Sequence, residues 1–258
     1  MDNKERRQEL RKQRRIKFWQ CTWRLVFLSG STFVLLWGMK LPYWFVRGKE
    51  QIDINGNELM LEADVRSLIA LDYPEYLWRL DAKNIIQQLE AEPPIINAQL
   101  TRQLFPVKIK VLIQERQPVA LVLSPKVNKK TATPSKILLG FLDKEGVFIP
   151  ERFYRNQAFR PTLTVVDFQP QYQPYWLKIY SFIENSEVKV FEVNWAEPTV
   201  ILLKTELGVF YLGNYNTQLD KQLQVIKTMK QAREKLDTST IDYIDLSNPE
   251  LPLVKLKS

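Results

Sequence analysis

The sequence lacks the residues that most catalytic sites use. Its 258 residues include no histidine, eight glycines and one cysteine, Cys21. The absence of histidine excludes the common catalytic triads, histidine-bound zinc and the commonest general base. Few glycines argue against phosphate-binding loops, and a single cysteine cannot form a disulfide within the chain. We therefore expect a non-enzymatic binding protein, held together by core packing, with no catalytic residue, cofactor or metal.

A long apolar stretch, residues 25–46, contains one charged residue, Lys40. About 20 apolar residues in a helix cross a bilayer core, and the stem of Lys40 can carry its ammonium to the membrane surface. A buried core helix and a cleaved signal peptide are the alternatives, but no small-residue cleavage site follows the stretch. The sequence predicts an uncleaved transmembrane helix. Aromatic residues that suit the headgroup layer lie near its ends, namely Trp19, Trp23, Trp37, Tyr43 and Trp44.

The basic charge is concentrated before this stretch. Residues 1–17 contain eight lysines and arginines against three acidic residues, a net charge of +5 within a chain total of +8. Basic flanks stay on the cytoplasmic side of a membrane, so residues 1–24 are predicted to be a cytoplasmic tail and the rest to lie outside. Binding of nucleic acid by the basic residues 1–17 is not expected, because no aromatic residues are interleaved with their charges.

Residues 47–123 have the pattern of one compact unit. A short alternating strand ends at a turn, Asn55-Gly56-Asn57, and two stretches with helical periodicity follow. In two further stretches, around residues 96–100 and 107–113, apolar and polar residues alternate, which predicts strands with one solvent-exposed face. The predicted order is strand, helix, helix, strand, strand. Its predicted core contains Val65, Ile69, Ile85, Leu89, Ile109 and Val111.

The rest of the chain is predicted to form a second domain. Residues 124–136 are polar, cationic and interrupted by prolines, which indicates a flexible connection. Residues 137–258 are predicted to form a mainly β domain with helices at 174–185 and from Thr217 onward. An Asp-Lys-Glu-Gly turn at 143–146 predicts a hairpin, and strands are expected at 188–195, 200–203, 209–212 and 241–246. The strand layout of 150–200 stays open.

Four motifs in this chain resemble those of a known family. Residues 54–57 read Ile-Asn-Gly-Asn, residues 94–98 Pro-Ile-Ile-Asn-Ala, residues 102–106 Arg-Gln-Leu-Phe-Pro, and residues 111–120 Val-Leu-Ile-Gln-Glu-Arg-Gln-Pro-Val-Ala. Together they resemble the POTRA domain of the bacterial cell-division family FtsQ, also called DivIB. The Tyr-Ile-Asp-Leu strand at 243–246 is similar to a C-terminal strand of that family, although Ser247 stands where arginine is usual. The implied fold class is α+β: a basic tail, one transmembrane helix, a POTRA domain (β-α-α-β-β) and a mainly β C-terminal domain.

The resemblance implies a cell-division protein of the bacterial inner membrane. It would act at the division site, with its POTRA and β domains on the extracytoplasmic side. Its expected partners are bitopic coiled-coil division proteins and septal peptidoglycan synthases, with no nucleic acid and no small-molecule substrate. Two alternatives stay open: another POTRA-bearing chaperone or translocation factor, and a membrane-anchored cell-wall enzyme with a carboxylate pair or a Ser-Lys dyad.

Two partner-binding surfaces are predicted. The final strands end a sheet that no later stretch covers, and an uncovered strand can pair with a strand of another chain. The resemblance favours strand addition here, with Tyr243, Ile244, Val254 and Lys255 at its centre, although lysines on such a strand can simply be protective. The second surface lies in the POTRA region. It comprises Arg102, Phe105, Glu115 and Arg116, of which the last two also suit an ordinary solvated strand end.

Overall fold

The computed structural model describes residues 3–39, 44–127, 134–154, 160–197, 200–213, 218–231 and 241–256. They form two compact units that alternate along the chain. The first contains Met1–Asp53, Leu71–Asp81 and Thr101–Lys110, and the second contains Ile54–Ala70, Ala82–Leu100 and Val111–Ser258. In chain order the elements are α1 (Asn3–Met39), β1 (Phe45–Val46), β2 (Ile52–Asn55), α2 (Glu62–Leu68), β3 (Glu75–Tyr76), α3 (Ala82–Glu90), β4 (Ile95–Gln103), β5 (Lys108–Glu115), β6 (Pro118–Val127), β7 (Pro134–Asp143), β8 (Phe148–Pro150), β9 (Leu163–Val166), α4 (Gln173–Asn185), β10 (Val190–Asn194), β11 (Leu202–Thr205), β12 (Gly208–Tyr211), α5 (Leu219–Gln231), β13 (Ile241–Asp245) and β14 (Leu253–Leu256).

The first helix contains residues 25–39 of the apolar stretch. Its segment Lys17–Gly38 is long and apolar enough to cross a membrane, judged by length and composition. The helix already includes residues of the predicted tail, because arginine, lysine and glutamine are good helix formers. The described helix reaches Met39, short of the predicted end at Val46. Phe45 and Val46 instead form β1, which pairs antiparallel with β3, and Lys40 lies outside the described residues.

The predicted β-α-α-β-β order is confirmed. Strands β2, β5 and β4 form a three-stranded sheet in that spatial order, with α2 and α3 between β2 and β4 in sequence. Inward and outward residues alternate along β5, as a half-buried strand requires. All six residues of the predicted core are buried.

A nine-stranded sheet follows, in the order β14-β13-β12-β11-β10-β9-β6-β7-β8. Strand β9 pairs in parallel with both β6 and β10, and β13 pairs in parallel with β12. The other neighbouring strands are antiparallel. The sheet packs against α4 and α5 around a buried cluster that contains Trp176, Trp195 and Phe210. The mainly β C-terminal fold with helices is thus confirmed.

The nine-stranded sheet begins earlier in the sequence than the predicted C-terminal domain. Strand β6 starts at Pro118, three residues after β5 ends, and pairs with β7 and β9. The boundary predicted at residue 123 therefore falls inside β6. In the region of the predicted connection 124–136, residues 124–127 of β6 pair with residues 134–137 of β7, while 128–133 lie outside the described residues. Alternation of apolar residues marks a strand but does not indicate which sheet it joins.

Candidate partner-binding surfaces

The last two strands form one edge of the nine-stranded sheet. Strand β14 is the outermost strand, and β13 lies between it and β12. In the antiparallel register of β13 and β14, Tyr243 is opposite Lys255 and Ile244 is opposite Val254. The structure therefore brings the four predicted C-terminal residues together as two cross-strand pairs.

The two pairs differ in exposure. Ile244 is buried in the core cluster beside Phe210, which it faces in the parallel pairing of β12 and β13. Its partner Val254 is exposed. Tyr243 is half-buried, its ring centroid is 4.7 Å from that of Tyr211, and the Nζ of Lys255 lies 5.1 Å from the centre of the Tyr243 ring. Ile244 thus supports the strand from the core, while the other three side chains are accessible.

Apolar side chains are exposed along β14. Leu253, Val254 and Leu256 are all exposed, as is Leu251 just before the strand. Within the described part of the chain, β14 has a strand neighbour on one side only. Sequence reasoning did not select the leucines, because their exposure depends on the place of β14 at the end of the strand order. A strand of this kind presents main-chain N–H and C=O groups together with apolar side chains, which is what strand addition uses.

A buried glutamine holds this region in place. The Nε2 group of Gln222, on α5, donates to the carbonyl oxygen of Leu212 at 2.7 Å and to that of Leu246 at 2.9 Å. These carbonyls follow β12 and β13 directly. Because an unpaired buried amide would cost about 1–3 kcal/mol, the two bonds tie α5 to the ends of both strands.

Glu115 has a structural role inside the second unit. Its side chain is buried, and its carboxylate oxygens accept the backbone N–H groups of Leu59 at 2.7 Å and Met60 at 3.0 Å. Bonds of this charged type are roughly twice as strong as neutral ones. They fix the segment that leads into α2. Partner contact by Glu115 stays a prediction.

Arg116 joins the end of β5 to the turn between β7 and β8. Its Nη1 donates to Asp143 Oδ2 at 2.8 Å and to Glu145 Oε2 at 3.0 Å. Burial works against the charged guanidinium, but hydrogen bonds and charge from Asp143 and Glu145 outweigh it and raise the pKa of Arg116. The hydroxyl of Tyr154 donates to the Arg116 carbonyl oxygen at 2.8 Å, and burial together with the charge of Glu115 raises the pKa of that tyrosine.

Arg102 and Phe105 lie close together in sequence in the first unit. The Nη2 of Arg102 donates to the carbonyl oxygen of Leu80 at 2.7 Å, so this side chain also has a partner within the chain. Phe105 is 71% exposed, and Leu104 beside it is exposed too. Of the four predicted POTRA residues, Glu115 and Arg116 thus make structural hydrogen bonds within the chain. Arg102 makes one such bond, and Phe105 is exposed.

The arrangement matches a known domain. Residues 49–116 match the family profile described as "POTRA domain, FtsQ-type". The chain therefore contains an FtsQ-type POTRA domain. This POTRA domain follows one apolar helix in the chain and precedes the nine-stranded sheet. A comparison with curated proteins finds no match.

Proposed function

We propose that this chain is a member of the FtsQ/DivIB family, a non-enzymatic cell-division protein that links extracytoplasmic partners during septum formation. Its apolar helix would anchor it in the bacterial inner membrane, with the basic N-terminus in the cytoplasm and the folded domains outside. The FtsQ-type POTRA domain supports the assignment to cell division. The partners are bitopic coiled-coil division proteins and septal peptidoglycan synthases.

The observation that carries the linking role is the exposed outer strand of the large sheet. Strand β14 is accessible along its four residues, and β13 behind it is held by the core and by Gln222. A rigid support lowers the ordering cost of binding, because only the incoming strand must become ordered. We propose that a partner strand adds to β14. Tyr243 and Lys255 would contact it on one face of the sheet, and Val254 on the other.

This proposal is tested by partner binding with matched variants. Tyr243→Ala removes a half-buried ring next to the strand, and truncation of such central aromatic residues costs about 1–4 kcal/mol of binding free energy. Since about 1.4 kcal/mol is a tenfold change, we expect affinity for the extracytoplasmic part of the partner to fall at least about tenfold. Removal of residues 251–258 should abolish capture. Leu177→Ala, at an exposed position on α4 of the same unit, is the matched control and should bind as wild type does.

Two further arms make the result interpretable. Lys255→Glu should weaken a partner that presents acidic residues, whereas Tyr243→Phe should keep most of the affinity because the ring remains. Thermal melting of each variant must match wild type, so that loss of binding is not loss of fold. Wild-type affinity in both Tyr243→Ala and the truncated chain would place the docking surface elsewhere. Depletion in the host should give filaments or enlarged undivided cells, and normal septation would contradict the division role.

A further inference from the structure

A group of aromatic side chains lies at the end of the first unit where the apolar helix stops. We call it the aromatic patch; its members are Trp44, Phe45, Tyr76, Trp78 and Phe105. Ring centroids are 5.8 Å apart for Trp44 and Trp78, 6.1 Å for Trp44 and Phe105, and 4.8 Å for Tyr76 and Trp78. The residues come from three separate segments of the sequence, so the patch exists only in the folded unit.

Much of the patch faces outward. Phe105 is 71% exposed and Trp78 is 50% exposed, and the neighbouring Leu104 is exposed as well. Single exposed apolar residues are ordinary on protein surfaces, but contiguous apolar groups mark places where a protein meets another apolar surface.

The patch is fixed directly to the apolar helix. The indole Nε1 of Trp44 donates to the carbonyl oxygen of Gly38 at 2.8 Å, and Gly38 is the last residue of the segment long and apolar enough to cross a membrane. Strand β1 then pairs with β3, where Phe45 is opposite Tyr76 and their rings are 4.1 Å apart. The backbone N–H of Leu77 donates to the carbonyl oxygen of Trp44 at 3.0 Å. Helix end and patch are thus joined by hydrogen bonds as well as by the chain.

This connection sets the depth of the patch once the helix is in a bilayer. The polar headgroup layer is about 5–8 Å thick on each side of the hydrocarbon core. The rings of Trp78 and Phe105 lie within about that distance of Trp44, which itself bonds to the end of the apolar segment. Tryptophan and tyrosine favour this layer because their rings combine an apolar body with a polar group.

We propose that the aromatic patch binds the headgroup layer of the membrane in which the helix is anchored. Trp78, Leu104 and Phe105 insert into lipid, so the POTRA domain is held against the bilayer by a second contact in addition to the helix. Arg47 and Arg79, both exposed, follow Val46 and Trp78 in sequence, and cations at this level are attracted to anionic lipid headgroups. The proposal rests on the membrane anchor of the proposed function but not on division partners. It assigns Phe105 to lipid rather than to a protein.

The test uses the full chain in vesicles of phosphatidylethanolamine and phosphatidylglycerol whose acyl chains are brominated close to the headgroup. Bromine quenches tryptophan on contact. The contribution of Trp78 is the difference between wild type and Trp78→Phe, and we expect lipid bromination to quench most of it. Trp195→Phe is the matched control: Trp195 is buried in the core of the second unit, so its contribution should not be quenched. Trp37→Phe reports on the anchor, because Trp37 lies within the segment Lys17–Gly38.

The outcomes distinguish the membrane anchor from lipid binding by the aromatic patch. Quenching of Trp37 without quenching of Trp78 would leave the anchor in place and overturn lipid binding by the patch. An unquenched Trp37 would overturn both the anchor and this inference. A second measurement needs no tryptophan: in a Cys21→Ser background, a spin label at Phe105→Cys should be less accessible to a water-soluble nickel chelate than a label at Leu177→Cys. Equal accessibility, or protection of position 105 only after a division partner is added, would also overturn the inference.

Discussion

Replacing Arg116 with methionine tests whether the ion pair at the end of the POTRA domain braces the β domain. Methionine retains much of the apolar stem but removes the two bonds of Nη1 to Asp143 and Glu145. Most of the loss in stability should come from the pair with Asp143, because the side chains of Arg116 and Asp143 are only 18% and 5% exposed. The Glu145 side chain is 59% exposed, so its pair with Arg116 contributes less.

The expected loss of unfolding free energy depends on the hydrogen bonds that Asp143 retains without Arg116. Breaking a fully buried ion pair costs about 3–5 kcal/mol, since the remaining charge is left without a partner. Here Asp143 Oδ1 still accepts the backbone N–H groups of Glu145 at 2.9 Å and Val147 at 2.7 Å. The loss should therefore approach that of a hydrogen bond to a charged group, about 2 kcal/mol of unfolding free energy.

Urea unfolding followed by tryptophan fluorescence is a suitable assay. Trp176 donates its indole N–H to the carbonyl oxygen of Asp143 at 2.9 Å, so it reports on this region. Lys178→Met is the matched control, because it breaks an ion pair with Asp220 in which both side chains are largely exposed; we expect a change below about 0.5 kcal/mol. If Arg116→Met were as stable as Lys178→Met, the pair would not brace the domain. In a cycle with Asp143→Asn, the two changes should be non-additive.

Three other predictions follow from the fold and the anchor. Ile109→Asp places a charge at a fully buried position of β5 and should unfold the POTRA domain, at a cost of several kcal/mol; melting like wild type would mean that the register of β5 is different. Glu192 is buried between Lys136 and Lys204; burial raises its pKa, but both ammonium groups outweigh this and lower it, so Glu192→Gln should cost about 1 kcal/mol at neutral pH. This difference in unfolding free energy should be fully present above the pKa of glutamate in the unfolded chain, about 4.3, and should disappear as pH falls through the lower pKa of the folded state. A difference that grows in acid would contradict the direction of the pKa shift. A reporter active only outside the cytoplasm should work when fused after Ser258 and fail when fused before Asp2, and the opposite pattern would reverse the topology.

The order of elements in the POTRA domain is predictable from the sequence because each signal is local. Helical periodicity identifies α2 and α3, and alternation identifies β5 with Ile109 and Val111 inside. Short elements are not predictable in this way. Strand β9 has four residues and β1 has two, and each depends on a neighbouring strand that is distant in sequence.

The candidate surfaces are only partly predictable for the same reason. The sequence indicates the last strands as a docking surface, which stays a prediction, and the structure places Tyr243 opposite Lys255 there. It does not indicate that Glu115 binds backbone N–H groups of residues 59 and 60, since that contact spans more than fifty positions. The aromatic patch is likewise assembled from distant segments, and only Trp44 has a sequence signal for the membrane surface.

The strand order of the large sheet has a consequence for when the protein can act. From β9 to β14, each strand pairs with the one before it in sequence, so each strand's neighbour on the β9 side is synthesised before it. Strand β14, the last of these strands, pairs with β13, and β13 in turn pairs with β12. Under the proposed function, a chain whose synthesis has not reached β14, or in which β13 has not joined β12, would lack the supported docking strand. Recruitment of a partner through β14 would thus be conditional on completed folding of the domain.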